Sequence, residues 1–491
     1  MTKPLSSFHI VLLLFAILTF SCQYHQKTML NSHENKLINT VEYLSSPDLD
    51  GRASGSKGYR LAADYITQKY IEYGLEPVVP VQGDTIYKQY FDIEHNQIVI
   101  PSDFALVDSG EIVKRYILNE DYLFRGFTGS GDLIAPVIFC GYGISDPEHG
   151  YDDYADVDVK NKIVLLFKGI PKWEKENADW KKYNFPRVKT RIAFEHGAVG
   201  VLFVSHTDAW LPGIYGSVYH GPGPYFATMP QLHISHETGD DLFRNNAHTL
   251  KQVQALIDST HSPFSLNLQS AVRITSNTVH SNKEKTCNVI GMLPGNDPKF
   301  RNEYIVVGAH LDHVGRQSRR VYFPGANDNA SGIACMLEIA NKLKSKQHKM
   351  KRSVIFIAFA GEESGLEGST FFVDNPIIDP HKIKAMINFD CVGRGDSICV
   401  HGKKNSPDLY KIVEKHGNEC RYFSHKSGHG GGADAQAFFN ANIPTLYFVT
   451  KNGYHHLHKT SDTVATIDAS LMLSVTDLAY KSILDICRSQ N

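Results

Sequence analysis

The sequence predicts an α/β protein: a three-layer α/β/α sandwich around a mixed, largely parallel sheet, with a β-rich insert. Three observations predict it. After Cys287, short apolar runs alternate with helical patterns, as where 304–307 is followed by 332–343. Between about 100 and 270 that alternation gives way to short strand-like runs, 136–140, 162–167 and 199–204, divided by polar, turn-rich stretches. Lastly, residues able to bind metal or move protons fall at the ends of the later apolar runs, where open α/β sheets place their sites.

From the N-terminus, residues 1–22 read as a targeting segment. Lys3 supplies the positive end and 10–20 the apolar core, which is too short to span a bilayer. Ser21-Cys22 resembles a bacterial lipoprotein cleavage site, which would anchor Cys22 to lipid; an ordinary cleaved signal peptide is the alternative. Both imply export, to the cell envelope or beyond it. The length of 491 residues suits two to three domains, and a formal net charge of −2 argues against nucleic acid as a partner. The eight cysteines show no C-x-x-C spacing, and Cys140, Cys335 and Cys391 lie in apolar runs as buried thiols would.

Residues 33–100 read as the first part of the main α/β domain. A helical pattern there puts Leu61, Ala62, Tyr65, Ile66, Tyr70 and Tyr73 on one face, and Gly74 ends it. Arg52 reads as a loop clamp or salt bridge. Residues 101–270 form the insert, whose aromatic loop 210–226 suits a rim over a cleft or a plain surface loop. Residues 271–491 read as the rest of the main domain and close with a helix near 468–488.

The chemistry is concentrated in GAHLDHVGRQSRRVYFPGANDNASG, 308–332, which holds His310, Asp312 and Asp328. Residues two apart in an extended chain face the same side, so His310 and Asp312 can serve one site. A carboxylate beside a metal-bound imidazole fixes its tautomer. Glu362 and Glu363 directly follow the apolar run 353–360, and two adjacent carboxylates there repel unless a cation is present. Asp390 ends the run AMINFD, and GYHHLHKTSDT offers His455, His456 and His458. Mixed imidazole and carboxylate donors suit zinc, with cobalt or manganese as substitutes.

The motifs GAHLDH, PGANDNASG, AGEESGLEGS, NFDCVG and HKTSDT, in this order, resemble the co-catalytic zinc metallopeptidases typified by leucyl aminopeptidase, aminopeptidase Y and glutamate carboxypeptidase. DVKNKIVLLF followed by RIAFEHGAVGVLFV resembles the protease-associated domain often inserted in that family. The resemblance implies an exported zinc exopeptidase, an aminopeptidase acting on peptides, with two zinc ions. His310 and Asp390 would hold one ion, Glu363 and His458 the other, and Asp328 would bridge them. Glu362 would be the general base, and Asp312 would hold His310. A cis peptide would follow Asp328. Where the family reads G-S-D-H-x-x-F, this chain has Ala433 and Ala435, which puts substrate contacts from that loop in doubt; His429 in the same loop is a further polar group. Relatives also admit a glutaminyl cyclase-like acyl transferase, a glutamate carboxypeptidase-like enzyme, and a non-catalytic ectodomain of the transferrin receptor kind. Side-chain preference and oligomeric state are not legible.

Overall fold

The computed structural model describes residues 32–489 apart from Pro212 and His220, so Lys3, Cys22 and the whole targeting segment lie outside the described residues. Strand Tyr304–His310 lies between two parallel neighbours, Ser353–Phe359 and Ile383–Phe389. Thr445–Lys451 extends the parallel set beyond Ile383–Phe389. Antiparallel strands flank it, Ser397–His401 on one side and Ser265–Leu293 on the other. The sheet is therefore mixed and largely parallel, as expected.

The parallel strands are largely apolar because both faces are covered. The pleat sends alternate residues to opposite cores. Ile305 and Val307 pack with Tyr59, Ile66, Ile339 and Ile483, from helices Lys57–Glu72, Ser331–Lys344 and Ala469–Arg488. Val306 packs on the other side with Phe372 and Phe438, from helices Glu367–Asp374 and Ala435–Asn440. Each such burial contributes about 1.5–3 kcal/mol, and together they hold the three layers. Helix Lys57–Glu72 starts at Ser56, whose hydroxyl accepts from the Tyr59 N–H, and Gly74 follows it at φ +67°. Its buried stripe is Tyr59, Ala62, Ala63, Ile66 and Tyr70; Leu61, expected inside, is 39% exposed. Tyr59, on the buried stripe, donates its hydroxyl to the Cys287 carbonyl at 2.7 Å.

The insert has its own core, built on strands Gly131–Cys140, Ile163–Phe167, Gly200–Val204 and Gln231–Ile234. It also carries helices Pro186–Glu195, His236–Phe243 and Leu250–Thr260. It was expected to stand apart from the catalytic sheet, and in hydrogen bonding it does not. Strand Ser265–Leu293 pairs with Gly131–Cys140 through its first half and with Ser353–Phe359 through its second. Lys88–Asp108 runs antiparallel along the same strand. One 15-stranded ladder results. The expected boundaries at 100/101 and 270/271 fall inside these two strands. The stretch 268–276 stays extended across the junction and buries every second side chain, Leu268, Ser270, Val272, Ile274 and Ser276, so no linker separates the two regions there. Among the described residues no helix is long and apolar enough to cross a membrane. The seven described cysteines are free thiols, with Cys140, Cys335 and Cys391 buried.

Candidate metal centre

The fold brings the polar motifs to one end of the parallel strands. His310 closes Tyr304–His310, Asp390 follows Ile383–Phe389, and Glu362 and Glu363 open the turn Glu362–Gly365 just after Ser353–Phe359. His458 comes from the loop after Thr445–Lys451. Asp328 comes from the loop before helix Ser331–Lys344, and the Asp328–Asn329 peptide is cis, as the resemblance implies.

That loop is held by its own asparagines and by the distant Asp462. The N–H groups of Asn327 and Asp328 donate to the Asp462 carboxylate at 2.9–3.1 Å. The Asn329 amide donates to the Phe389 carbonyl at 2.8 Å and accepts from the Gly332 N–H at 3.0 Å. Arg52, fully buried, donates to the carbonyls of Leu44, Leu311, Pro324 and Gly325. It is the loop clamp, tying the His310–Asp312 turn to the Asp328 loop.

Two donor groups share Asp328. His310 Nε2 stands 3.2 Å from Asp328 Oδ1 and 3.4 Å from Asp390 Oδ1. His458 Nε2 stands 3.1 Å from Asp328 Oδ2 and 3.0 Å from Glu363 Oε2. All five residues expected as ligands therefore converge in the expected pairing. Asp390 Oδ1 is buried with no hydrogen-bond partner among the described residues. Three carboxylates this close, one with an orphaned oxygen, carry a repulsion that divalent cations relieve. His310–Asp328–Asp390 and His313–Asp328–Glu363–His458 are both compact enough to hold an ion.

The local field is strong. Burial opposes charge on His458, but Glu363 and Asp328 outweigh it and hold the imidazole well above its usual pKa. Burial likewise opposes charge on Glu363, yet His458 brings it down to about 2. Glu362 goes the other way. Burial drives it well above the usual carboxylate range; His310 opposes this, while Glu363 and Asp390 add to it. Two adjacent glutamates thus differ in proton affinity, the condition for one to bind metal and the other to move protons.

Asp312 needs a correction. Its carboxylate was expected to hold His310, yet lies 3.8 Å from Nδ1; the shorter contact, 3.2 Å, is to the Asp312 backbone carbonyl. The carboxylate instead accepts the N–H groups of Glu362 at 3.2 Å and Glu363 at 3.3 Å. The turn carrying both glutamates lies directly over it, and buried N–H groups must be paired. Asp312 therefore sets the two glutamates with its side chain and His310 with its backbone.

Three neighbours escaped the sequence reading. The Tyr447 hydroxyl donates to Asp390 Oδ2 at 3.1 Å. The Gly216 carbonyl, in the insert's aromatic loop, accepts from His458 Nδ1 at 3.2 Å. His313, inside the HLDH motif, reaches Glu363. Only His313 had a signal, its place one residue after Asp312. His455 and His456 stay outside the donor groups; His456 Nδ1 pairs with the Ser461 hydroxyl at 2.8 Å. His429 is exposed and pairs with Asn405.

Residues 288–483 match Peptidase family M28 and residues 130–242 match the PA domain. Leucine aminopeptidase 2 of Trichophyton equinum is 30% identical over 307 residues, covering 60% of this chain and 51% of the relative. The chain spans about half the length of the curated leucine aminopeptidases it matches. Two solved structures share the fold. The aminopeptidase from Aneurinibacillus sp. strain AM-1 superposes with a TM-score of 0.66 at 20% identity, covering 93% of this chain and 95% of that one. BSAP, a zinc aminopeptidase from Bacillus subtilis, gives 0.62 at 19% identity, with the same coverage of 93% and 95%.

Proposed function

We propose that this chain is a zinc-dependent aminopeptidase that removes N-terminal residues from peptides, using two ions that share Asp328. The observation that carries the reading is the division of the Asp328 carboxylate, one oxygen facing His310 and the other His458. His310, Asp390, Glu363 and His458 complete the two positions. When bound there, zinc supplies Lewis acidity toward a scissile carbonyl and toward water.

The protein's own groups do the rest. Side chains of Asp390, Glu362 and His458 are 14%, 18% and 22% exposed, whereas His310 and Asp312 are 1% exposed. Substrate therefore approaches from the side of the first three. Glu362 stands back from the closest donors, with Oε2 4.0 Å from His310 Nε2. From there it takes a proton from the attacking water and passes it to the leaving amine. Asp312 holds Glu362 and Glu363 in their separate roles through their backbones. Tyr447 orients Asp390. The matches to leucine aminopeptidases and to a zinc aminopeptidase fold support this reading.

The test is a substrate panel: aminoacyl anilides, N-blocked peptides and peptides with N-terminal glutamine, each with and without a chelator. Hydrolysis confined to free N-termini, abolished by the chelator and restored by zinc, is the expected result. Pyroglutamate formation from the glutamine peptides, or release from the C-terminal end, would replace the aminopeptidase reading with a cyclase or a carboxypeptidase.

The chain is also proposed to be exported, with Cys22 as a lipid anchor. Support comes from Lys3, the apolar run 10–20 and Ser21-Cys22. Cys22→Ser then moves the protein from the membrane fraction to the soluble fraction; an unchanged distribution contradicts the anchor.

A further inference from the structure

His313 has no part in the reaction described so far, yet its side chain is fully buried against the centre. We infer that His313 is a positioning residue for Glu363, fixing that carboxylate so that a single oxygen faces the metal position it shares with Asp328 and His458. The inference rests on reading the cluster as a zinc centre.

His313 Nδ1 lies 2.6 Å from Glu363 Oε1, while Glu363 Oε2 points to His458 Nε2 at 3.0 Å. The two oxygens thus have different partners. A carboxylate oxygen accepts, so Nδ1 carries the hydrogen. A charge-assisted N–H···O bond has about this length. Two donors on one tetrahedral zinc, each roughly 2.0–2.1 Å from the ion, stand roughly 3.3 Å apart. His458 Nε2 meets Asp328 and Glu363 at close to that spacing; His313 Nδ1 does not, at 2.6 Å from Glu363 and 3.7 Å from Asp328. The distances make His313 a support for a ligand and not a ligand itself.

The other end of the ring is free of competing bonds. His313 Nε2 is buried with no hydrogen-bond partner among the described residues. The ring instead lies flat against Gly325, where a Cβ would meet Cγ and Cδ2 at 2.6 Å. Gly325 in turn gives its carbonyl to Arg52 at 3.1 Å, and the His313 N–H donates to the Arg52 carbonyl at 3.3 Å. The ring is wedged so that only Nδ1 has polar work to do. Outer partners of metal ligands typically change affinity 10–100-fold; Tyr447 supports Asp390 at the other position, so His313 bears on the Glu363 position alone.

The test uses metal stoichiometry and affinity, by elemental analysis after dialysis against graded chelator. Electronic absorption of the cobalt-substituted protein is the second readout. The full-length parent should hold two ions. His313→Phe keeps the ring and the burial but removes the donor. It should keep one ion at parent affinity and bind the second about 10–100-fold more weakly. His313→Asn places an amide donor where Nδ1 was and should restore the second ion. His313→Gln reaches the Nε2 end and should not, so the Asn and Gln pair carries the test even if the Phe variant does not fold. The cobalt bands of the Asn variant should match the parent, because the ligands are unchanged. Parent-like affinity for both ions in the Phe and Gln variants overturns the inference and leaves the dimetal reading standing. Shifted cobalt bands in the Asn variant also overturn it, making His313 a ligand. A parent that binds no metal overturns both readings.

Discussion

Asp328 bears more of the site than any other residue, because each of its oxygens serves a different histidine. It stays ionised although buried: burial raises its pKa, but His310 and His458 hold it well below the usual range. Glu367, one turn beyond Glu363, shows the opposite balance. Burial pushes its carboxyl up to about 7, against a hydrogen bond from Ser364. The folded state therefore binds this proton more tightly than the unfolded chain. The penalty is absent below the ordinary glutamate pKa of about 4.3, grows as pH rises, and is complete above 7, on the order of 3 kcal/mol. Glu367→Gln should raise Tm at pH 8 and leave it nearly unchanged at pH 4; equal shifts at both pH values would contradict the burial account. At this scale the candidate donors were legible: His310, Glu363 and Asp390 follow or close apolar runs, and Asp328 and His458 lie in motifs the resemblance supplies. Tyr447 and Gly216 were not: one lies inside an apolar strand and the other acts through its backbone carbonyl.

Among the elements, the two loops that carry His310, Asp312 and Asp328 depend on Arg52. Its guanidinium is buried, and burial lowers its pKa only to about 10, so it remains charged. Lysine keeps the charge but lacks the planar fork. Lysine has three donors for these four carbonyls, so Arg52→Lys leaves at least one hydrogen bond unmade, at a cost of about 1–3 kcal/mol. Denaturant unfolding should show a loss of at least about 1 kcal/mol; a loss below about 0.5 kcal/mol would mean that Arg52 does not clamp these loops. The parallel strands were legible as short, doubly buried apolar runs, and the long strands were not. Ser265–Leu293 mixes exposed polar and buried apolar residues over 29 positions, and a window shorter than the strand sees separate pieces. Its continuity comes from partners supplied by both regions, which a local pattern does not contain.

For the whole molecule, the insert does more than cover the cleft. Gly216 exchanges two hydrogen bonds with His458: its N–H donates to the His458 carbonyl at 2.8 Å, and its carbonyl accepts from Nδ1 at 3.2 Å. A residue of the insert thus orients the His458 ring, in the way that second partners of metal-bound imidazoles do. Of the two readings the sequence left open for loop 210–226, the rim is the one the contacts favour. A Cβ at 216 would meet Phe323 and Val314 at 2.9 Å. Gly216→Val should shift the loop, weaken one metal position about 10–100-fold and lower turnover, while Tm falls little. Unchanged metal affinity would show that His458 needs no support from the insert.

The measurement that tests the central claim most directly pairs zinc content with turnover in Glu362→Gln. The substitution keeps the shape and the backbone bond to Asp312 and removes the basic carboxylate. Zinc content should stay at the parent level while turnover falls by at least the ~10²–10⁴-fold expected for loss of a general base. A fully metallated variant with near-parental turnover would contradict the mechanism.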